Sequence, residues 1–174
     1  TIYKGVERVK PGETLVIRRG RIIERTYLPP LPDGPTTDQP IGDAIEELDA
    51  VLEESVSVHQ RSDVPYGLFL SGGIDSSAIL ALMARLNEKP VQTFTIGFTF
   101  SGVSDEREHA RELAESVGSI HTEVAFSEAD FWRSLPTIAA AMDDPAADYA
   151  ILPTWKLASV ASQELKVVLS GEGG

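Results

Sequence analysis

The sequence predicts an α/β fold: a parallel sheet with helices on both faces, preceded by a short β-hairpin. Three observations carry this. From residue 41 onward, helix-period segments alternate with short apolar runs rich in Val, Ile, Leu and Phe, the pattern of strands buried on both faces. A proline-rich tract separates this region from a smaller piece before it. Clusters of Ser and Gly stand at the carboxyl ends of two predicted strands, where an open parallel sheet has its ligand crevice.

Residues 1–28 read as a β unit, with strand-like runs Thr14–Ile17 and Arg21–Tyr27 around Gly20. Residues 29–40 read as a linker, since LPPLPDGPTTDQP (28–40) carries five prolines and a glycine. The main domain is 41–174. In it, Ile41 to Gln60 sets Ala44, Ile45, Leu48, Val51, Leu52 and Val56 at helical spacing. YGLFL (66–70) is a strand, Ser76–Leu86 a helix, and VQTFTIGF (91–98) the next strand. SDEREHARELAESVG (104–118) offers Ser104 as N-cap, keeps Ala110, Leu113, Ala114 and Val117 on one face, and stops at Gly118. HTEVAF (121–126) is a strand, and SEAD (127–130) has the form of a capping box opening a helix. Tyr149–Gln163 is helical and LKVVLS (165–170) is a last buried strand. Trp132 and Trp155 read as core anchors, and the acidic residues of 105–115 as a solvated helix face.

Composition bounds the function. The 174 residues, 42% apolar and 24% charged, suffice for one buried core and a small appendage. A net charge of −12 argues against a broad nucleic-acid surface. Without Cys these residues hold no disulfide, thiolate zinc site or cysteine nucleophile. No apolar run is long enough for a bilayer and no leader opens the chain, so the expectation is a cytoplasmic protein without a membrane partner. A start at Thr1 and a stop at Gly174, inside SGEGG, predict a piece of a longer chain.

The junction LFLSGGIDSSAIL (68–80) is the most informative stretch. A helix N-terminus offers unpaired N–H groups and the positive end of the macrodipole to an anion. Gly72 and Gly73 let the backbone turn tightly and approach it, and Ser71, Ser76 and Ser77 add hydroxyls. Asp75 would repel a phosphate unless a hard divalent cation lay between them, which suits Mg²⁺ on a polyphosphate. A Walker A loop is excluded because no Lys follows Gly73 before Lys89. A hydrolase elbow is excluded because Phe69, not Gly, stands two residues before Ser71. The G-x-G-x-x-G fingerprint is absent too. A plain tight turn with Ser capping a helix explains each residue singly, but not two glycines, three serines and an aspartate together.

S-G-G-x-D-S after an apolar strand resembles the pyrophosphate loop of the N-type ATP pyrophosphatases, a superfamily that includes the asparagine, GMP and NAD synthetases. IYKGVERVKPGETLVI and RTYLP resemble the end of the glutaminase domain of asparagine synthetases, and LKVVLSGEGG their second ATP-site loop. TFTIGF, SDEREHARELAESVGSIHTEV and MDDPAADYAILPTWKLAS follow in that family's order, so the likeness covers essentially the whole chain. It implies an adenine nucleotide alpha hydrolase-like fold and an ATP- and Mg²⁺-dependent amidotransferase that adenylates a carboxylate and amidates it with glutamine-derived ammonia. It assigns Ser71, Gly72, Gly73, Ser76 and Ser77 to pyrophosphate, Asp75 to the metal, Leu70 and Ile96 to the adenine, and Gly97 to a backbone approach to base or ribose. Ser170 and Gly171 would touch the nucleotide from the second loop, and Glu172 would orient the reacting groups or take a proton. The family's N-terminal glutaminase cysteine, its second metal-binding Asp and its catalytic Lys have no match in these residues, which implies that this piece alone is inactive. Asp143 and Asp144 before Pro145 read as turn chemistry, and His59, His109 and His121 as solvated or half-buried. The acceptor stays open between aspartate and the substrates of related β-lactam- or lasso-peptide-forming cyclases. Oligomeric state is open as well. A tRNA-modifying pyrophosphatase fits the acidic charge poorly, and a non-catalytic nucleotide sensor is the other class of reading.

Overall fold

Arg19 and Gly20 both have positive φ, 50° and 74°, and this two-residue turn joins β1 (Glu13–Arg18) to β2 (Arg21–Tyr27) as an antiparallel hairpin. Left-handed conformation at both turn positions matches the twist of paired strands. The computed structural model describes residues 1–29, 38–99, 105–144, 148 and 150–171. Residues 30–37, most of the tract expected to be a linker, lie outside the described residues, as do Ser104, Tyr149 and Glu172.

The main unit runs α1 (Ile41–His59), β3 (Tyr66–Phe69), α2 (Ile74–Leu86), β4 (Gln92–Phe98), α3 (Arg107–Ser116), β5 (Ile120–Phe126), α4 (Glu128–Ala141), α5 (Ile151–Ala161) and β6 (Val167–Leu169). Strand order is β5-β4-β3-β6, every pair parallel. The chain steps outward from β3 through β4 to β5, then returns to lay β6 on the other side of β3. The order therefore reverses between β3 and β6, the place where such sheets open a ligand crevice.

Period-two alternation sends apolar side chains of the sheet into core clusters on both of its faces. Leu68 and Leu70 pack with Leu80 and Met83 of α2 and with Ala110 and Ala114 of α3. Phe94 packs with Val124, Leu157, Ala161 and Leu165 on the α5 side. Each fully buried Leu, Met or Phe among these contributes about 2 kcal/mol by removing apolar surface from water. Gly67 permits a close approach inside the sheet, for a Cβ there would lie 2.5 Å from the Gln92 carbonyl oxygen and 2.6 Å from Leu165 Cδ1.

The capping box is as predicted: Ser127 accepts the Asp130 N–H at 3.1 Å, and Asp130 accepts the Ser127 N–H at 3.0 Å. Three expectations are corrected. Helix α3 has Glu106 rather than Ser104 at its N-cap, because the Asp105 carboxylate takes the first helical N–H at 3.2 Å. β6 is a half-exposed edge strand rather than a buried one, paired only with β3 among the described residues. Trp132 and Trp155 are 61% and 44% exposed, on the outer faces of α4 and α5, so neither anchors the core.

Candidate functional site

The site is built where β3 turns into α2. The Leu70 N–H still donates to the Phe94 carbonyl at 2.9 Å, and the Thr95 hydroxyl donates to the Leu70 carbonyl, so the chain stays pinned to β4 one residue beyond β3. Gly72 then takes φ 78°, a conformation costly for other residues. The hydroxyls hold the turn from within. Ser71 and Ser76 share a hydrogen bond of 3.0 Å, the Gly73 N–H donates to Ser71 Oγ at 3.3 Å, and Ser76 and Ser77 donate to the Gly73 carbonyl at 3.2 and 2.7 Å. No side chain caps α2. Its positive end stays available to a ligand, and the simple reading of a serine cap does not describe it.

A cavity of about 450 Å³ opens at this turn, and Leu70, Ser71, Gly73, Asp75, Ser76, Ile96, Ser170 and Gly171 all line it. Ser71 and Gly171, 100 positions apart in sequence, thus line one cavity. Gly171 lies so close that a Cβ would stand 2.8 Å from the Ser76 nitrogen, which presses the second loop onto the first turn of α2. Gly72 and Ser77 shape the loop without entering the wall. Gly97 is buried at the end of β4, and the direction its Cβ would take is filled by the Arg107 side chain.

Phe69, Phe98, Glu106, Thr154 and Leu157 complete the wall and were not singled out by sequence. Glu106 reaches the cavity because the start of α3 leans over the β3 end, yet it stays exposed, as expected of the solvated face assigned to 105–115. Asp105 is exposed as well. It grips Arg107, and these hydrogen bonds hold its carboxyl down at about 2. Asp144 accepts the Ile2 N–H at 3.3 Å and pairs with Arg8, which lowers its pKa; it lies away from the cavity. His59 and His109 are exposed and His121 is half-buried, as expected.

The wall of the cavity is acidic. Asp75 and Glu106 line it, and no Lys, Arg or His does among the described residues. A polyanion here needs the helix N-terminus and a counter-cation. Among the described residues there is no cluster of three or more His, Cys, Asp or Glu able to enclose a metal. One or two carboxylates with phosphate oxygens completing the shell is the manner in which Mg²⁺ is held, so the residues present fit it. Among the described residues no helix is long and apolar enough to cross a membrane.

The asparagine synthase family model matches residues 47–174. A putative glutamine-hydrolysing asparagine synthetase of Mycobacterium tuberculosis is 41% identical over 176 residues, covering 99% of this chain and 27% of that protein. Asparagine synthetase [glutamine-hydrolyzing] 1 of Bacillus subtilis is 36% identical over 174 residues, with the same two coverages. This chain therefore spans about a quarter of the length of these relatives. Among solved structures, an NH3-dependent NAD synthetase from Campylobacter jejuni aligns with 75% of this chain and 56% of its own, at a TM-score of 0.44 and 17% identity. With the family model matching most of the main unit and these relatives aligning almost end to end, the chain belongs to the asparagine synthase family.

Proposed function

We propose that this chain is the nucleotide-activating part of a cytoplasmic ATP-dependent amidotransferase of the asparagine synthetase type. The observation that carries the reading is the uncapped α2 N-terminus opening into a cavity walled by both Ser-Gly loops. Ser71, Gly72, Gly73, Ser76 and Ser77 form the seat for the β- and γ-phosphates. Leu70 and Ile96 flank the base, with Phe69 and Phe98 adding apolar wall. Gly97 offers backbone only, since Arg107 fills its other side. Ser170 and Gly171 close on the nucleotide from β6.

In the reaction proposed, an oxygen of the acceptor carboxylate, the aspartate side chain in this reading, bonds to the α-phosphorus as the α–β phosphoanhydride breaks. Pyrophosphate departs, and its developing charge is met by the N–H groups of the first turn of α2, whose stabilisation grows with that charge. Ammonia drawn from glutamine then attacks the acyl carbon of the adenylate, and AMP leaves with the bridging oxygen. Asp75 would hold Mg²⁺, which when bound would neutralise phosphate charge that the wall's carboxylates otherwise repel. Glu172, outside the described residues, orients the amine or takes its proton.

Calorimetric titration with ATP and Mg²⁺ tests the reading. Asp75→Ala is expected to weaken the Mg²⁺-dependent binding by about tenfold or more, the scale of one lost charge-assisted contact. Equal affinity in the two proteins removes the metal role of Asp75.

A further inference from the structure

We propose that Arg107 is a positioning residue for the phosphate loop, acting through the first turn of α3; this rests on the reading of that loop given above. Arg107 Nε donates to both oxygens of Asp105, at 2.9 and 3.1 Å, and its Nη2 donates to Oδ2 at 2.6 Å. The same carboxylate accepts the Arg107 backbone N–H at 3.2 Å. One acidic group thus anchors the start of α3 and fixes the guanidinium, in a planar fork that Lys cannot reproduce.

The fork has a seat. A Cβ on Gly97 would lie 2.1 to 2.6 Å from Nε, Cδ and Cγ of Arg107, so any side chain there evicts the arginine. Arg107 therefore ties α3 to the carboxyl end of β4. The far side of the same helical turn abuts the phosphate loop. A Cβ on Gly72 would stand 3.2 Å from His109 Cδ2, 3.6 Å from the Ala110 nitrogen and 3.7 Å from the Glu106 carbonyl oxygen. Ser71 and Ser76 brace the loop from inside, and α3 braces it from outside. Arg107 does not line the cavity, so its influence passes through Gly72 rather than through contact with ligand. A loop that presents N–H groups to phosphate oxygens tolerates displacements of only a fraction of an ångström, which gives such a brace leverage.

The test is calorimetric titration of the 174-residue chain with inorganic pyrophosphate plus Mg²⁺ and, separately, with AMP, the thermal midpoint being recorded alongside. Arg107→Ala is expected to weaken pyrophosphate about tenfold while AMP stays within about twofold, the signature of a displaced loop beside an intact base site. Arg107→Lys should not restore the affinity, because the fork is lost. Gly97→Ala should copy Arg107→Ala by evicting the guanidinium, whereas a loss confined to AMP would make Gly97 a nucleotide contact and remove its part as the seat. Equal loss of both ligands with a lowered thermal midpoint would leave Arg107 a merely structural residue and overturn the inference. So would unchanged pyrophosphate affinity in Arg107→Ala. A parent chain that binds neither ligand removes the phosphate-loop reading itself, and this one with it.

Discussion

The two ends of β3 both carry polar clusters, yet they are built for opposite purposes. At the amino end the Tyr66 hydroxyl reaches Gln60 Oε1 at 3.1 Å and Asn87 Oδ1 at 2.6 Å, while Asn87 Nδ2 donates to Gln60 Oε1 and to the Met83 carbonyl. This network ties the end of α1, the start of β3 and the end of α2 together, with Gln60 buried and Tyr66 and Asn87 half-buried. At the carboxyl end the serine hydroxyls bond within their own turn, and the first N–H groups of α2 have no side-chain acceptor. One cluster spends its hydrogen bonds on holding elements together. The other leaves its strongest donors facing a cavity. Polarity at a strand end is therefore no sign of function by itself; donors left free beside an open wall are.

The harshest way to break the comparison is to disturb the strand both ends share. Gly67→Ala places a methyl group 2.5 Å from the Gln92 backbone oxygen, an atom that cannot swing aside. Overpacking of this kind is expected to cost about 3 kcal/mol, read as a shift in the urea midpoint, and to weaken nucleotide binding as a consequence. A midpoint within error of the parent would mean that β3 and β4 lie farther apart than described here.

Paired substitutions at the two ends sharpen the contrast at lower cost. Asn87→Ala strands Gln60 and Tyr66 and is expected to remove about 2 kcal/mol of stability with ATP affinity unchanged. Ser76→Ala removes a hydroxyl that ties Ser71 to Gly73 and is expected to cost only about 1 kcal/mol while weakening pyrophosphate severalfold. The reverse pattern, with Asn87→Ala losing ligand and Ser76→Ala losing only stability, would exchange the roles assigned to the two ends.

The sequence makes one end far more legible than the other. Ser71 to Ser77 lie within seven residues, so turn chemistry and helix polarity are local facts that can be read without the fold. The hairpin turn at Arg19–Gly20 and the capping box at Ser127 are legible for the same reason. Glu106, Thr154 and Leu157 reach the cavity only because α3 and α5 converge on the β3 end, and no local signal announces that convergence. Asp105 faces water as expected, but no local signal announces its grip on Arg107, and only the Gly97 seat reveals what that arginine does. Trp132 and Trp155 mislead in the other direction. Their bulk suggests a core, but Trp132 instead lies edge-on to Phe131 on the surface with its Nε1 donating to Glu128 at 3.3 Å. The exposure of β6 goes with its pairing to β3 alone among the described residues, which depends on strand order rather than on the apolar run itself.

The smallest expected effect concerns the amino end of the sheet, where His121 on β5 is half-buried beside Thr93. Its Nδ1 lies 2.8 Å from the Thr93 hydroxyl, and its buried Nε2 has no partner among the described residues. Burial pushes its pKa below the ordinary value, with Arg111 acting in the same direction and Glu123 and Glu115 opposing. A base whose folded pKa is depressed binds its proton more readily when unfolded. Stability is therefore full at pH values above the unfolded pKa of about 6.5, falls as the pH drops through that value towards the lower folded one, and levels off beneath it. His121→Asn should flatten this part of the pH profile of the urea midpoint, while the acid limb set by Asp105 and Asp130, both held at about 2, remains. Identical profiles for parent and variant between pH 7 and the onset of that limb would show that the ring takes up its proton in the folded chain as easily as in the unfolded one. The amino end of the sheet would then be open to water, and the contrast with the carboxyl end would rest on the Tyr66–Gln60–Asn87 network alone.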